Sequence, residues 1–156
     1  MRAQLRRATP EDVPAIARLR RAWVEEQAGS PIEDENFETE LAEWFLREQH
    51  QRVTWLAEVG RRPVGMVNLM VFTRMPKPRS AAAPGSAARW GYVANVYVDP
   101  AFRNEGTGRA LLDEVVSYAE AGGFARLVLS PSRQSVPLYE RAGFVPATSL
   151  MIREGG

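Results

Sequence analysis

The chain has 156 residues, of which 45% are apolar and 25% are charged, a balance typical of a folded globular domain rather than a disordered chain. It contains no cysteine, which excludes disulfides, cysteine-ligated metals and a cysteine nucleophile. Its net charge is +1, so no overall field favours binding to nucleic acid.

Helix and strand signals interleave along the whole chain. Thr9 and Pro10 are typical of a helix start, and three of the four predicted helices are followed by a glycine, at Gly29, Gly122 and Gly143. The predicted elements are, in chain order, a strand at 2–7, a helix at about 10–28, a helix near 34–50, a hairpin of strands 53–59 and 64–73, a strand at 91–98, a helix at 107–121, a strand at 126–129, a short helix near 135–142 and a strand at 144–153. This order favours an α/β or α+β fold around one mixed sheet over an all-helical fold.

Residues 75–89 (MPKPRSAAAPGSAAR) separate the hairpin from the next strand. Three prolines, a glycine and a run of alanine and serine cannot build a core, so this segment is predicted to be a mobile loop. The strand that follows, 91–98, is almost continuously apolar or aromatic and is therefore predicted to be buried on both faces.

No targeting or metal-binding signal stands out. No apolar run reaches the roughly 18 residues that span a bilayer, and residues 1–7 lack the apolar core of a secretory signal. We therefore expect a cytoplasmic protein with no membrane partner, organised as a single domain over 1–156. The single histidine, His50, ends a polar helical stretch and is predicted to be exposed, so no metal site is predicted.

The stretch 95–112 carries the most chemical information. A buried strand leads into a loop, and Gly106 and Gly108 then stand at the mouth of a helix. The free N–H groups of a first helical turn and the helix dipole attract anions, and glycines leave room for a ligand. Arg103 and Arg109 flank this turn and can add charge-assisted hydrogen bonds. The pattern predicts a phosphate site, and the glycines alone fit a tight strand-to-helix turn equally well.

Two common phosphate loops do not fit this stretch. A Walker loop requires Gly-Lys-Ser/Thr at its end, and no lysine stands here. A dinucleotide-binding fingerprint requires a third glycine where Leu111 stands. Both nucleotide interpretations therefore fail on residue identity.

Two motifs resemble those of a known family. Residues 103–108 (RNEGTG) fit Arg/Gln-x-x-Gly-x-Gly/Ala and resemble the pyrophosphate loop of the GNAT superfamily of acetyl-CoA-dependent N-acyltransferases. About 30 residues later, 138–144 (LYERAGF) is similar to the family's Leu-Tyr-x-x-x-Gly-Phe helix and exit. The N-terminal strand, two helices and hairpin also come in the family's order. The resemblance covers nearly the whole chain and implies a stand-alone GNAT domain with a mostly antiparallel mixed sheet, splayed between its fourth and fifth strands and flanked by about four helices.

The resemblance also implies site residues. Backbone groups of the fourth strand would pair with the pantetheine arm of CoA, and the N–H groups of the loop and first helical turn would hold the pyrophosphate. The residues to which it assigns cofactor binding are Val96, Tyr97, Val98, Arg103, Asn104, Glu105, Gly106, Thr107, Gly108, Arg109 and Ser132. Many relatives carry an asparagine at the position of Ser132. Serine is shorter, so whether its side chain contacts the cofactor is left undecided by the resemblance.

Tyr139 matches the tyrosine that protonates the departing thiolate in this family. Acetyl transfer to an amine requires a proton for the leaving sulfur, and a phenol held near it can supply that proton as a general acid. The alternative for Tyr139 is a core aromatic with its hydroxyl at the surface.

The general base is not identified by the resemblance. Many relatives place a glutamate on the fourth strand, but no carboxylate occurs between 89 and 98. The alternatives are water or a carboxylate of the early helices, namely Glu25, Glu26 or Glu33. Asn95 on the strand could orient the acceptor or water, or pair with buried backbone. Trp23, Glu26, Trp90 and Asn95 are the candidate acceptor-site residues.

The expected activity is transfer of an acetyl group from acetyl-CoA to a primary amine, with a small molecule preferred among the acceptors. Drug amines, peptide N-termini and protein lysines are the other acceptors considered. A second hypothesis is an acyl-CoA-binding sensor with little turnover, motivated by the missing carboxylate and by Ser132. Small chains of this family often dimerise, so the resemblance also suggests a homodimer.

Overall fold

The computed structural model describes residues 2–78 and 89–156. Its strands and helices, in chain order, are β1 (Gln4–Arg7), α1 (Val13–Ala28), α2 (Phe37–Glu48), β2 (Arg52–Val59), β3 (Arg62–Thr73), β4 (Arg89–Val98), α3 (Thr107–Ala121), β5 (Arg126–Val128) and α4 (Val136–Arg141). Short 3₁₀ turns at Pro10–Asp12 and Pro100–Phe102 precede α1 and α3. The predicted element order is confirmed as far as α4.

The strand predicted at 144–153 is wrong. No regular element follows Arg141, and Leu150, Met151 and Ile152 are exposed to solvent. A strand forms only when a neighbouring strand supplies hydrogen bonds. The edge strand that precedes this segment in the chain, β5, is only three residues long. Residues 144–153 have an alternating apolar pattern, but β5 offers them too short an edge for pairing. Of the loop predicted at 75–89, residues 79–88 lie outside the described part of the chain.

The strands form one sheet in the order β1-β2-β3-β4-β5. The first four pair antiparallel, and β5 pairs parallel to β4. Helices α1 and α2 pack on one face of the sheet and α3 packs on the other. The predicted mixed, mostly antiparallel sheet is thus confirmed. Within the described ranges, no helix has the length and apolar character needed to cross a lipid bilayer.

Two apolar clusters hold these layers together. On the α3 face, Leu111, Leu112 and Val115 of the helix pack against strand residues that include Val67 and Leu69. On the other face, the cluster comprises Ile16, Leu19, Phe45, Leu56, Met66 and Tyr97. The helical residues recur at spacings of three and four, which gives each helix one buried stripe. The sheet is therefore the middle layer of three.

Replacing Leu111 by alanine is expected to lower the free energy of unfolding by about 2–5 kcal/mol, because its side chain has no exposed surface and alanine leaves a cavity. Urea denaturation measures this change. Leu46→Ala on α2 is the matched control, since Leu46 is 56% exposed and its loss should change stability by about 0.5 kcal/mol or less. Equal effects of the two substitutions would contradict the assigned core.

Candidate active site

Strand β4 is paired along both edges only near its start. Residues Trp90–Tyr92 pair with Arg126–Val128 of β5, and Tyr92 Oη donates a hydrogen bond to Ser130 Oγ at 3.2 Å. Beyond Tyr92, the described residues place no strand beside β4 on that side. The splay between the fourth and fifth strands is confirmed, and the edge of residues 93–98 faces a cleft.

A β-bulge interrupts β4 at the start of this open half. Ala94 pairs with Asn68 and Tyr97 pairs with Met66, so β4 advances by three residues while β3 advances by two. Asn95 takes up the extra residue with a φ of +57°, a left-handed conformation that asparagine tolerates better than most residues.

The bulge also changes which side chains share a face. Val93 packs in the α3-side cluster, whereas Tyr97 packs in the α1-side cluster, although an unbroken strand would put them on one face. Val96 and Val98 return to the α3 side. Burial on both faces, predicted for the whole of β4, holds for Gly91, Val93 and Tyr97, and the other residues of the open half are half-buried.

Helix α3 begins where β4 ends. Gly106 caps it with a φ of +85°, and Asn104 before it has a φ of +64°, so the chain makes a tight left-handed approach to the helix. The N–H of Ala110 is the first to bond within this turn, to Gly106 O at 3.0 Å, which leaves the N–H groups of residues 107–109 without helical partners. Residues 103–106 are exposed. The loop that precedes the predicted anion-binding turn is therefore at the surface, whereas Thr107 at the start of the helix is buried.

Three elements meet at Gly108. A Cβ atom placed on this residue would lie 3.7 Å from Leu138 Cδ2 of α4 and 3.9 Å from Val98 Cγ2 of β4. The first turn of α3 thus faces both the end of β4 and the helix that carries Tyr139. The loop residues predicted to hold pyrophosphate and the helix that carries the predicted general acid thus adjoin each other at Gly108.

The Arg103 side chain is engaged on the other side of β4. Its Nη2 lies 2.9 Å from both carboxylate oxygens of Glu26, its Nε donates to Val98 O at 2.8 Å, and its guanidinium lies over the Tyr97 ring at 5.5 Å. The Tyr97 ring in turn stacks on Trp23, with centroids 5.8 Å apart. These contacts tie the loop before α3 to α1. Arg103 therefore presents its backbone, rather than its guanidinium, to the cleft.

Tyr139 lies in the middle of α4 and packs edge-on against Phe144, with ring centroids 5.9 Å apart. Burial raises the pKa of its hydroxyl, the Ser135 hydroxyl partly offsets this, and the neighbouring Tyr92 raises it further. A phenol with the ordinary pKa of about 10 is already protonated at neutral pH, and a raised pKa leaves Tyr139 in that form. Tyr139 is therefore able to donate a proton.

The other predicted site residues are more scattered. Ser132 is exposed in the loop before α4 and shares a 2.8 Å hydrogen bond with Ser135. Arg109 Nε binds Asp113 at 2.9 Å. Trp90 stands at the start of β4 beside Arg126, at the opposite end of the strand from the open half. The structure thus does not bring Trp90 together with Asn95.

A cavity of about 350 Å³ lies between α1, α2 and the sheet, and we name it the α1–α2 cavity. Its sheet side is formed by Thr54, Met66, Asn68 and Asn95. The bulge therefore sets Asn95 between this cavity and the cleft along β4. A second cavity, of about 460 Å³, opens near the start of β2, with the exposed His50 on its rim. Among residues 2–78 and 89–156, no group of three His, Cys, Asp or Glu side chains could hold a metal ion.

Sequence reasoning missed several residues of this cavity. Phe37, Leu41 and Trp44 were readable as one apolar helical stripe, but the pattern does not separate core from cavity wall. Asn68 could have been found from the sequence, because a polar residue in the middle of an apolar strand needs a hydrogen-bond partner when it is buried. It donates to Thr54 Oγ1 at 2.8 Å and accepts from Arg52 Nη1 at 2.8 Å.

Comparisons with known proteins agree with this geometry. The family model of the acetyltransferase (GNAT) family matches residues 16–144. A glucosamine 6-phosphate N-acetyltransferase from Trypanosoma brucei brucei is 30% identical over 83 residues, which are 53% of this chain and 51% of that protein. The match thus spans about half the length of this curated relative.

Solved structures are similar over nearly the whole chain. A GCN5-related N-acetyltransferase from Ralstonia eutropha JMP134 is 26% identical, with 99% of each chain covered and a TM-score of 0.72. A predicted acetyltransferase from Clostridium acetobutylicum, solved with acetyl-CoA, is 21% identical, with 97% of this chain and 96% of that chain covered and a TM-score of 0.75.

A sheet splayed beside a glycine-rich helix start defines the chain as a GNAT-fold protein. The chain belongs to the acetyltransferase (GNAT) family, because that family's model matches most of its length. Members of this family are acetyl-CoA-dependent N-acyltransferases.

Proposed function

We propose that this protein transfers the acetyl group of acetyl-CoA directly to the primary amine of a small molecule, with Tyr139 as general acid. The observation that carries the proposal is the meeting of three features at one cleft. These are the open edge of β4, the first turn of α3 at Gly108 with the exposed loop 103–106 before it, and the helix α4 that carries Tyr139. Each feature supports one requirement of acyl transfer from CoA. The β4 edge would bind the extended pantetheine arm, the α3 turn would donate hydrogen bonds to the pyrophosphate, and Tyr139 would protonate the leaving thiolate.

The residues around the cleft fit acetyl-CoA. Backbone groups of Val96 and the N–H of Val98, whose carbonyl already accepts a hydrogen bond from Arg103 Nε, would pair with the amides of the pantetheine arm, as an added strand does. The N–H groups of residues 103–109 would hold the pyrophosphate, where the helix dipole also favours negative charge. The side chain of Asn104 and Ser132 in the facing loop would complete the contacts. When bound, acetyl-CoA supplies the acetyl group as an activated thioester.

Tyr139 would act on the leaving sulfur. Its O–H is intact at neutral pH, as in any phenol with a pKa near or above 10, and the hydroxyl donates its proton as the carbon–sulfur bond breaks. The amine forms the new carbon–nitrogen bond and releases one proton to solvent, and the tyrosinate takes up one proton from solvent before the next turnover. The exposed β4 amides would polarise the carbonyl oxygen.

Asn95 would hold the acceptor. Its side chain lines the α1–α2 cavity while its backbone belongs to the open half of β4. A carboxamide at this position can accept a hydrogen bond from the amine nitrogen and direct it toward β4. Glu26, by contrast, is paired with Arg103, which favours water over Glu26 as the group that takes the amine proton.

Isothermal titration with CoA tests the cofactor assignment, with ADP and NAD as controls. Saturable binding of CoA that exceeds the binding of both controls is the expected result. Turnover is then measured as release of free thiol on addition of an amine, and the protein adds no background because it contains no cysteine. Binding without thiol release from any amine would favour the acyl-CoA sensor. Absence of binding would overturn the proposal.

A further inference from the structure

The α1–α2 cavity has a predominantly apolar wall. Ile16 comes from α1, Phe37, Leu41 and Trp44 come from α2, and Met66 comes from β3. An empty cavity of about 350 Å³ is within the size range of small-molecule sites and is large enough for one aromatic ring with a short chain. A ligand that covers these side chains removes apolar surface from water, which favours an apolar body.

The polar groups on the sheet side of the cavity are already partnered. Asn68 donates to Thr54 and accepts from Arg52, each at 2.8 Å. A ligand rich in hydroxyl groups would therefore lose its hydrogen bonds to water and find few replacements here. Asn95 differs, because its side chain makes no hydrogen bond to any other described residue. On its sheet side, the cavity thus offers one amide without a hydrogen-bond partner among the described residues, and that amide belongs to Asn95 on β4.

The charges of the cavity do not suit a phosphorylated ligand. Arg20 is its one guanidinium, and Glu40 is its one carboxylate. Glu40 forms no ion pair with the described residues, whereas nearby Arg21 is bound to Glu38 and to two backbone carbonyls. A phosphate with about two negative charges would meet one cation and one like charge. A single ammonium group would be attracted by Glu40 and repelled by Arg20, and with one charge it costs less to take out of water than a phosphate with two.

We infer that the acceptor is a primary amine on an apolar, preferably aromatic, body rather than an amino-sugar phosphate. This inference rests on the proposed function and names its substrate class. The apolar body lies between α1 and α2, the amine nitrogen lies at Asn95, and Glu40 complements the charge of the incoming ammonium. The chain thereby differs in acceptor from its relative whose name gives glucosamine 6-phosphate.

Titration of the protein with 2-phenylethylamine and with glucosamine 6-phosphate tests this inference. Each is titrated calorimetrically into the protein saturated with CoA, which cannot react, and into the protein without CoA. The amine is expected to bind at least about tenfold more tightly than the sugar phosphate. Equal or tighter binding of the sugar phosphate, or no binding of the amine in either form, would overturn the inference. If CoA does not bind, the proposed function is overturned. The titration without CoA would then still decide whether the cavity prefers the amine to the sugar phosphate.

Two variants connect the binding to the cavity. Leu41→Arg places a cation in the apolar wall and should weaken 2-phenylethylamine binding at least tenfold. Glu40→Gln changes an exposed side chain without disturbing the core, and it should weaken binding about threefold to tenfold, with the difference shrinking at high salt. Glu43→Gln is the matched control, because Glu43 is an exposed carboxylate of α2 outside the cavity wall. Equal effects of the Glu40 and Glu43 substitutions would contradict the assignment of Glu40.

Discussion

The Gly108→Glu variant is expected to bind CoA at least about 100-fold more weakly than the unmodified protein. The Cβ atom of residue 108 points between Val98 and Leu138, so a glutamate side chain would extend into the cleft beside the first turn of α3. Its carboxylate would approach the pyrophosphate, and two like charges about 4 Å apart cost roughly 4 kcal/mol near a protein surface. That energy corresponds to about 1,000-fold in affinity, and isothermal titration measures it.

Gly108→Ala is the control for this substitution. Its added methyl group would have ordinary contacts of 3.7 and 3.9 Å, so the fold and most of the affinity should remain. Circular dichroism of both variants separates loss of binding from loss of structure. A folded Gly108→Glu protein with unchanged CoA affinity would contradict the position assigned to the pyrophosphate.

The Tyr139→Phe variant is expected to lose about 10²–10⁴-fold in kcat while binding CoA nearly as tightly as the unmodified protein. Phenylalanine keeps the ring that packs against Phe144, so only the donated proton is lost. Because burial raises the pKa of Tyr139, its contribution to catalysis should fall only above the ordinary tyrosine value of about 10. Thiol release at varied amine concentration measures kcat and KM separately.

Two further measurements distinguish a general acid from a packing residue. Tyr118→Phe is the control, because Tyr118 is a half-buried tyrosine of α3 that packs against Trp55 and Phe124. It should leave kcat unchanged within about twofold. A Tyr139→Phe protein that loses CoA affinity and kcat in equal measure would show that Tyr139 shapes the cleft rather than donating a proton.

Most of the fold could be predicted from the sequence because its signals are local. Helix starts at Pro10 and Gly106, helix ends at Gly29 and Gly143, and the apolar periods of two and 3.6 residues all act within one element. The strand at 144–153 failed because pairing is not local. Its residues have the right pattern, but whether a neighbouring edge is long enough to receive them depends on β5, which is three residues long.

The candidate site, like the fold, could be predicted where its residues lie in one contiguous motif and not where they are distant in the chain. The loop at Gly106 and Gly108 and the position of Tyr139 on a short helix follow from contiguous motifs, and the structure packs that helix against Gly108. The Glu26–Arg103 pair joins residues 77 positions apart, and no local pattern predicts it. The bulge at Asn95 likewise arises from a mismatch between β3 and β4, so it requires knowledge of both strands.

The open edge of β4 has a consequence for the resistance of this protein to heat. On the side away from β3, residues 93–98 form an edge strand inside the sheet, and no strand among residues 2–78 and 89–156 pairs with them there. A ligand that occupies this edge binds the folded chain and not the unfolded one, so by mass action it raises the free energy of unfolding. At a concentration 100 times its Kd, it would add about 2.7 kcal/mol. The melting temperature of this protein should therefore follow the supply of CoA, and a cell depleted of CoA would hold a less stable protein.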